Sequence, residues 1–388
     1  MRDTGTKKRK PTRLTGLAAL ALALSLIAGT VTGCAPRQEE PDDGRMKVVT
    51  TIFPPYDFAR AISGNGELAY VRMLLSPGEE IHSYEPTPLD IKEIQNCDLF
   101  IYTGGENDVW VDRILENMGE KRPQTLRLVD LTDTVEEEIT EGMMQERGHD
   151  HDHEEAEEHD HEAEGGHDHE AEGDHDHEAE SEHDHEEAEE HDHEESEHAN
   201  GGDSSHEDHE EADEHVWTSP VKAAEITEAI AEKMAEIDPA NAEAYLANAG
   251  AYEEQILSVD AQFREIVQNA KRRTIVFGDR FPVRYFAEEY GLEYYAAFPG
   301  CSSESEPSAS TLAFLIDKVR EEKIPVVFSI EFSNGNIARA ICESTGAVPR
   351  TFYSCHNVTK QQMEDGATYV SMMSENLDVI REALGGGE

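Results

Sequence analysis

The chain has 388 residues, with 85 acidic against 32 basic side chains and a formal net charge of −53. That excess of negative charge excludes nucleic-acid binding, which needs a basic footprint, and docking on anionic lipid by surface charge. The charge is unevenly placed: residues 149–215 hold 33 of the acids, no Lys or Arg, and 17 of the 19 histidines. What remains is long enough for two ordinary domains.

The amino terminus reads as an address. Lys7-Lys8-Arg9-Lys10 precedes an apolar run from about Leu14 to Ala28, and the run ends at Val31-Thr32-Gly33-Cys34. A basic segment, a short apolar segment and small residues at a cleavage point describe a secretory signal peptide over 1–33. The apolar run is shorter than the ~20 residues a membrane-spanning helix needs. Small residues directly before Cys34 resemble a bacterial lipobox, which implies lipidation of that cysteine, with 34–45 as a polar tether. The expectation is a lipid-anchored protein on the extracytoplasmic face of the cell membrane.

From Met46 the pattern alternates strand and helix. Strands are predicted at 46–53, 68–75, 98–102 and 126–131, with helices at 56–62, 87–96 and 108–118. Short apolar strands separated by helices indicate parallel βαβ units, here an N-terminal lobe over 46–142. Residues 143–214 form the His/acid-rich loop. Within it, six His-Asp-His triplets recur every eight residues: His151 with His153, His159 with His161, His167 with His169, His175 with His177, His183 with His185, and His191 with His193. With no apolar side chain larger than Ala between Gly148 and Glu214, the segment cannot bury enough surface to offset its ordering entropy, so it is predicted to be disordered. Its chemistry is specific all the same. Imidazole is the commonest ligand for Zn²⁺, Cu²⁺ and Ni²⁺, and two histidines one residue apart on a flexible chain can reach the same ion. Each triplet alone should bind weakly, and many copies raise the local metal concentration.

Residues 215–238 complete the first lobe. A single long helix is predicted over 239–272, with Asp238-Pro239 as N-cap and N1 pair. At 1.5 Å per residue it would extend ~51 Å, stiffer than a hinge of strands, so domain closure should be limited. The rhythm restarts over 273–388, with strands at 274–277, 292–297, 325–330 and 351–354 and helices at 283–290, 308–322, 336–345 and about 362–384. The fold class expected is α/β: two (β/α)4-type lobes with parallel sheets, joined by one long linking helix, with the site between the lobes. Cys97, Cys301, Cys342 and Cys355 allow three pairings. Cys342–Cys355 is the pair favoured by the flanking elements, against four buried thiols.

Two segments carry a resemblance. Pro77-Gly78-Glu79-Glu80-Ile81-His82-Ser83-Tyr84-Glu85-Pro86-Thr87 follows the second strand, and His215-Val216-Trp217-Thr218-Ser219-Pro220 follows the tract. Together with Cys97–Tyr102, Trp110-Val111-Asp112, Glu304–Ser308 and Gly366–Tyr369 they resemble the metal-binding lipoproteins of bacterial ABC importers, and the His-rich loop resembles the zinc branch. The resemblance covers essentially all of 46–386. It implies His82 and His215 as metal ligands, Zn²⁺ as transported cargo, an ABC permease membrane subunit as partner, a monomer, and no catalysis.

The chain departs from the family pattern where the C-lobe ligands belong. Gly278-Asp279-Arg280-Phe281-Pro282 stands in place of the usual histidine, and Tyr353-Ser354-Cys355-His356-Asn357 where an Asp is often found. His356 is therefore expected to replace the lost imidazole, with Asp279 as carboxylate ligand and Glu331 as supporting or alternative ligand. For Asp279 a turn or N-cap role competes, and for Glu331 an ion pair with Arg280. The strand rhythm points the same way, because His82, Asp279, Glu331 and His356 fall just past strand carboxyl ends, which in open α/β sheets face the ligand crevice. Three imidazoles and one carboxylate suit tetrahedral Zn²⁺ over Mg²⁺ or Mn²⁺. Manganese or nickel on the same scaffold, or a metal-storage or adhesion lipoprotein, are the alternatives. A hydrolytic zinc enzyme is disfavoured by the absence of H-E-x-x-H and G-x-S-x-G.

Overall fold

The computed structural model describes residues 43–81, 84–105, 108–143, 212–302 and 306–385. The signal peptide, Cys34, most of the tether and His82 lie outside the described residues. So do all twelve triplet histidines expected to bind metal: His151, His153, His159, His161, His167, His169, His175, His177, His183, His185, His191 and His193. The described residues from Met46 onward form one unit.

Two four-stranded parallel sheets of equal topology build this unit. In the first, the order is β2-β1-β3-β4, with β1 at Met46–Thr50, β2 at Ala69–Met73, β3 at Leu99–Tyr102 and β4 at Gln124–Arg127. In the second, the order is β6-β5-β7-β8, with β5 at Thr274–Phe281, β6 at Glu293–Pro299, β7 at Val326–Ile330 and β8 at Val348–Phe352. The expected α/β architecture of two lobes is what the structure shows. Each sheet has a point beside its first strand where the order reverses, and in such sheets ligands bind at the carboxyl ends of the strands around that point.

Helices cover both faces of each sheet. In the N-lobe they are α1 (Phe53–Ile62), α2 (Pro88–Asn96) and α3 (Val109–Met118). Helix α2 starts where it does because Thr87 and Asp90 form a reciprocal capping box ahead of Pro88. The C-lobe carries α6 (Arg284–Tyr290), α7 (Ala309–Glu322) and α8 (Asn336–Thr345). Its chain end is two helices, α9 (Lys360–Glu364) and α10 (Tyr369–Leu384). The single helix predicted over 362–384 is interrupted at Gly366, whose φ of 77° stops α9, and Thr368 then caps α10.

The connection between lobes holds one more helix than expected. The long helix predicted over 239–272 is α5 (Ala242–Gln268), and a second helix that was not expected, α4 (Pro220–Ile237), precedes it and packs on it. Asp238 and Pro239 lie in the turn between them. There the Asp238 carboxylate accepts from Tyr245 Oη at 2.9 Å and Asn241 Nδ2 at 2.7 Å. At 27 residues α5 is ~40 Å long. None of the helices among the described residues is long and apolar enough to cross a membrane.

The inner faces of both sheets share one continuous core. Val48, Phe53, Phe58 and Ile101 of the N-lobe, Trp217, Tyr252 and Phe263 of the connection, and Phe277, Phe328 and Leu384 of the C-lobe belong to a single buried cluster. Smaller clusters fill the outer faces, under α2 and α3 in one lobe and under α7 and α8 in the other. A shared interior of this kind resists hinge opening, because separating the lobes would expose apolar surface at about 25 cal/mol per Å². None of the four described cysteines is in a disulfide. The favoured Cys342–Cys355 pair is therefore not formed: Cys342 packs in the outer cluster beneath α8, and Cys355 in the shared core.

Candidate metal centre

His215 and His356 meet across the two lobes. Their ring centroids are 4.8 Å apart at an interplanar angle of 76°, and both side chains are buried. Trp217 stands against both rings, at 5.6 Å from His215 and 5.2 Å from His356, and donates its Nε1–H to the Ser354 carbonyl at 2.9 Å. One fully buried indole thus ties the His215 segment to the loop that carries His356. Tyr369 Oη donates to the Trp217 carbonyl at 2.7 Å, which fixes the same segment to α10.

The hydrogen bonds select one tautomer at each ring. His215 Nδ1 lies 2.9 Å from Asp213 Oδ1, and the same oxygen accepts the His215 backbone N–H at 2.8 Å. An ionised carboxylate only accepts, so Nδ1 carries the proton and Nε2 presents its lone pair. That Nε2 is buried and has no hydrogen-bond partner. A buried nitrogen left without a partner costs free energy unless something else occupies it, and a cation is what fits a bare lone pair. For His356 the argument runs through Ser354. The Ser354 hydroxyl lies 2.8 Å from Glu331 Oε1 and 2.6 Å from His356 Nδ1. A hydroxyl has one proton to give; given to the Glu331 carboxylate, it leaves the oxygen to accept from Nδ1–H. His356 Nε2 then also bears a lone pair. Orienting partners of this kind are what metal-ligating histidines use.

Glu331 organises the His356 loop. Its carboxylate accepts from Ser354 N at 2.7 Å and His356 N at 3.2 Å in addition to the hydroxyl. Burial pushes its pKa up to about 7, against the hydrogen bonds from Ser354 and His356 that lower it. Two non-glycine residues beside it have left-handed backbone, Phe332 at φ 64° and Cys355 at φ 65°. Such conformations are costly and persist where surrounding contacts over-determine them. At Cys355 the Glu331 carboxylate supplies such contacts, taking the backbone N–H groups of Ser354 and His356 on either side. A small cavity of ≈ 10 Å³ opens between Glu331, His356, Glu79, Glu80, Ile81 and Gly300, room for one water-sized occupant.

The rim loop that leads into His82 is held from the opposite lobe. Asn357 Nδ2 donates to the carbonyls of Ser76 at 2.8 Å and Glu79 at 2.9 Å, and Arg280 pairs with Glu80 at 3.3 Å. Arg280 thus pairs with the rim loop, not with Glu331. The chain position of His82 follows Ile81 at the edge of this cavity, while its own placement lies outside the described residues.

Asp279 is not where the strand pattern put it. Strand β5 runs on to Phe281, so Asp279 sits inside the strand, where a bulge shifts the register between Phe277 and Arg280. Its carboxylate accepts from Arg280 N at 2.9 Å and Ile330 N at 3.3 Å, repairing the ladder that the bulge interrupts. Glu331 borders the cavity beside His356 and Asp279 does not. Sequence reasoning missed three contributors: Asp213, Ser354 and Asn357. Asp213 was signalled by its position two residues before His215, but it was lost among the acids of the tract.

Gly300 is a close neighbour of the first imidazole. A Cβ there would stand 3.2 Å from His215 Cε1, 3.0 Å from the Phe281 carbonyl oxygen and 3.3 Å from Pro282 Cα. Two of these atoms are backbone and cannot give, so Gly300→Ala should push on the His215 ring. The expected result is roughly tenfold weaker metal binding, as when an orienting partner is lost, with an unchanged far-UV circular dichroism spectrum. Undiminished affinity would separate Gly300 from the site.

The family model for the periplasmic component A of zinc-uptake complexes matches residues 48–383. Among relatives, the high-affinity zinc uptake system protein ZnuA of Bacillus subtilis is 26% identical over 370 residues, 95% of this chain and 97% of that protein. The zinc-binding lipoprotein AdcA of Streptococcus pneumoniae is 27% identical over 361 residues. That match takes in 93% of this chain but 60% of AdcA, so the chain spans less than two thirds of that relative's length. In fold, the chain is similar to the Zn(II)-bound ZnuA-like domain of S. pneumoniae AdcA, with a TM-score of 0.61 at 24% identity over 88% of this chain and 99% of that domain. The laminin-binding protein Lmb of Streptococcus agalactiae is a neighbour with a TM-score of 0.62 at 22% identity, over 87% of this chain and 99% of that one.

Proposed function

Because the chain belongs to the family of the periplasmic component of zinc-uptake complexes, we propose that it captures Zn²⁺ outside the cytoplasm and delivers it to an ABC permease. In this reading it acts as a monomer held to the membrane by a lipid on Cys34, and it catalyses nothing. The observation that carries the proposal is the pair His215 and His356, one from each side of the cleft, 4.8 Å apart, with the His215 Nε2 buried and without a partner.

We assign the ligand set as His82, His215 and His356, with a carboxylate as fourth donor. Of the two carboxylates considered, Glu331 is supported by its place beside His356 and the cavity, although the oxygens of both Glu331 and Asp279 also accept backbone N–H groups. Three nitrogens and one oxygen at a closed, buried centre suit Zn²⁺ held tetrahedrally with no open coordination position, the arrangement of a binding rather than a hydrolytic site. Capture at nanomolar metal requires about −12 kcal/mol, which convergent, pre-oriented donors can supply and single triplets of the tract cannot. The tract, with its paired histidines from His151 and His153 through His191 and His193, is then the collecting segment that feeds the centre.

The test is a competition titration of the full chain and of a form lacking residues 149–210, with Zn²⁺, Mn²⁺ and Ni²⁺. One tight Zn²⁺ should survive the deletion, while loading at scarce metal slows. No tight ion after deletion would make the tract the whole function and turn the protein into a metal store. Preference for Mn²⁺ or Ni²⁺ would reassign the cargo.

A further inference from the structure

A second set of donors lies where the tract joins the folded unit. Residues 136 and 212 form an antiparallel bridge, and the Asp213 backbone N–H donates to the Val135 carbonyl at 2.9 Å. The two roots of the tract are thus clamped together. Beside this clamp is a cavity of ≈ 290 Å³ whose wall includes Asp112, Arg127, Glu137, Asp213, Glu214 and Cys301. Four of these six side chains are acidic, so the cavity favours a cation. Two of its lining residues, Glu214 and Cys301, belong with neighbouring His215 to a group in which one donor atom from each lies within 4.8 Å of the other two. Glu214 and His215 are buried, and Cys301 is half-buried. The Cys301 backbone is fixed by donation of its N–H to Glu137 Oε1 at 3.1 Å. The approach of the chain here is close: at Gly105, φ 103°, a Cβ would stand 2.3 Å from Glu214 Oε2. The glycine is what lets that carboxylate lie over the cavity.

We propose that Glu214, His215 and Cys301 form a reception position for a thiophilic divalent cation, distinct from the centre at His356 and placed between it and the tract. The position rests on the zinc-capture reading for its role, but its chemistry stands on the three donors. Carboxylate oxygen, imidazole nitrogen and thiolate sulfur together select a borderline-soft ion such as Zn²⁺ and reject Mg²⁺ and Ca²⁺, which prefer oxygen alone. Binding deprotonates the Cys301 thiol and releases that proton to solvent, with no change of oxidation state. Asp213 holds His215 Nδ1, so Nε2 is the nitrogen available to either donor set. One lone pair cannot serve two ions. The two positions are therefore filled in succession, and an ion arriving from the tract is held by Glu214 and Cys301 until the His356 side takes it over.

The test uses the full chain titrated with Co²⁺, whose thiolate-to-metal charge-transfer band reports sulfur ligation and is silent for tract histidines. The band should appear during loading, disappear in Cys301→Ser, and persist in Cys97→Ser. A wild-type titration without the band, or one in which Cys301→Ser retains it, overturns the assignment. Tight Zn²⁺ capture is read separately with a competing chelator. Should capture fail while the Cys301 band is present, the zinc-import reading falls and the thiolate position stands. Should capture succeed without the band, the reverse holds.

Discussion

Replacing His215 with alanine should cost about two orders of magnitude in zinc affinity. Nanomolar binding is worth about 12 kcal/mol, and one donor of four carries about 3 kcal/mol of it, a factor of about 100. Asp213→Asn is the sharper probe, because it keeps the imidazole and removes only its carboxylate partner. Burial alone would depress the His215 pKa, but the neighbouring carboxylates of Asp213, Glu214 and Glu137 outweigh it and leave the pKa raised above 6.5. Zinc needs the deprotonated ring. Affinity is therefore held above the His215 pKa and lost as pH falls through it, with the loss setting in at higher pH than for an ordinary histidine. In Asp213→Asn the affinity at neutral pH should fall by about 10- to 100-fold, while the onset of acid release moves to lower pH. Competition binding from about pH 5 to 8, the span over which histidine titrates, reads both effects. An onset that moves upward, or no loss in His215→Ala, would take His215 out of the site.

Asp57→Ala should be among the most destabilising changes away from the cleft. The Asp57 carboxylate, on α1, accepts from Tyr252 Oη of α5 and from Tyr369 N of α10 at 2.8 Å. One buried side chain thus ties the N-lobe, the connection and the C-terminal helix together. Alanine leaves two buried donors without an acceptor, at about 1–3 kcal/mol each, for a net loss of about 2–4 kcal/mol. At roughly 2 °C per kcal/mol for a chain this long, Tm should drop by about 4–8 °C. Asp57→Asn retains an acceptor oxygen and should lose less. Burial raises the Asp57 pKa from 3.8 to about 6 despite the Tyr252 and Tyr369 hydrogen bonds. The folded state therefore binds this proton more tightly than the unfolded one. Its stabilising share is whole below pH 3.8 and is lost as pH rises from there through about 6. The stability difference between wild type and Asp57→Asn should shift over that window in favour of the asparagine. Thermal melts across the window read it, and parallel curves would show that Asp57 does not titrate there.

Most of the architecture was legible because parallel strands buried on both faces leave apolar runs, and capping residues such as Thr87 and Ser308 punctuate the helices. The errors have local causes. Asp238-Pro239 suits a helix start, yet here local hydrogen bonds from Asn241 and Tyr245 to the Asp238 carboxylate build a turn, and α5 starts at Ala242. The run after Phe277 contains glycine and charges, which read as a strand end, whereas a bulge carries β5 four residues further. That bulge puts Asp279 inside the strand instead of past its end, and no hydrophobic pattern announces a bulge. His356 was found by elimination of the other histidines. The hydroxyl and carboxylate that orient it could not be, since Ser354 and Glu331 are 23 residues apart and meet only when β7 and β8 pair.

Asn357 follows His356 directly, and its amide grips the carbonyls of Ser76 and Glu79. Latch and proposed ligand therefore share two consecutive residues of one short loop. Any docking event that pulls the amide off the rim also withdraws the imidazole beside it, and it frees the strand of rim that leads to His82. In the zinc-delivery reading, unloading is then expected as one release tripped by handling the loop rather than by swinging the lobes apart.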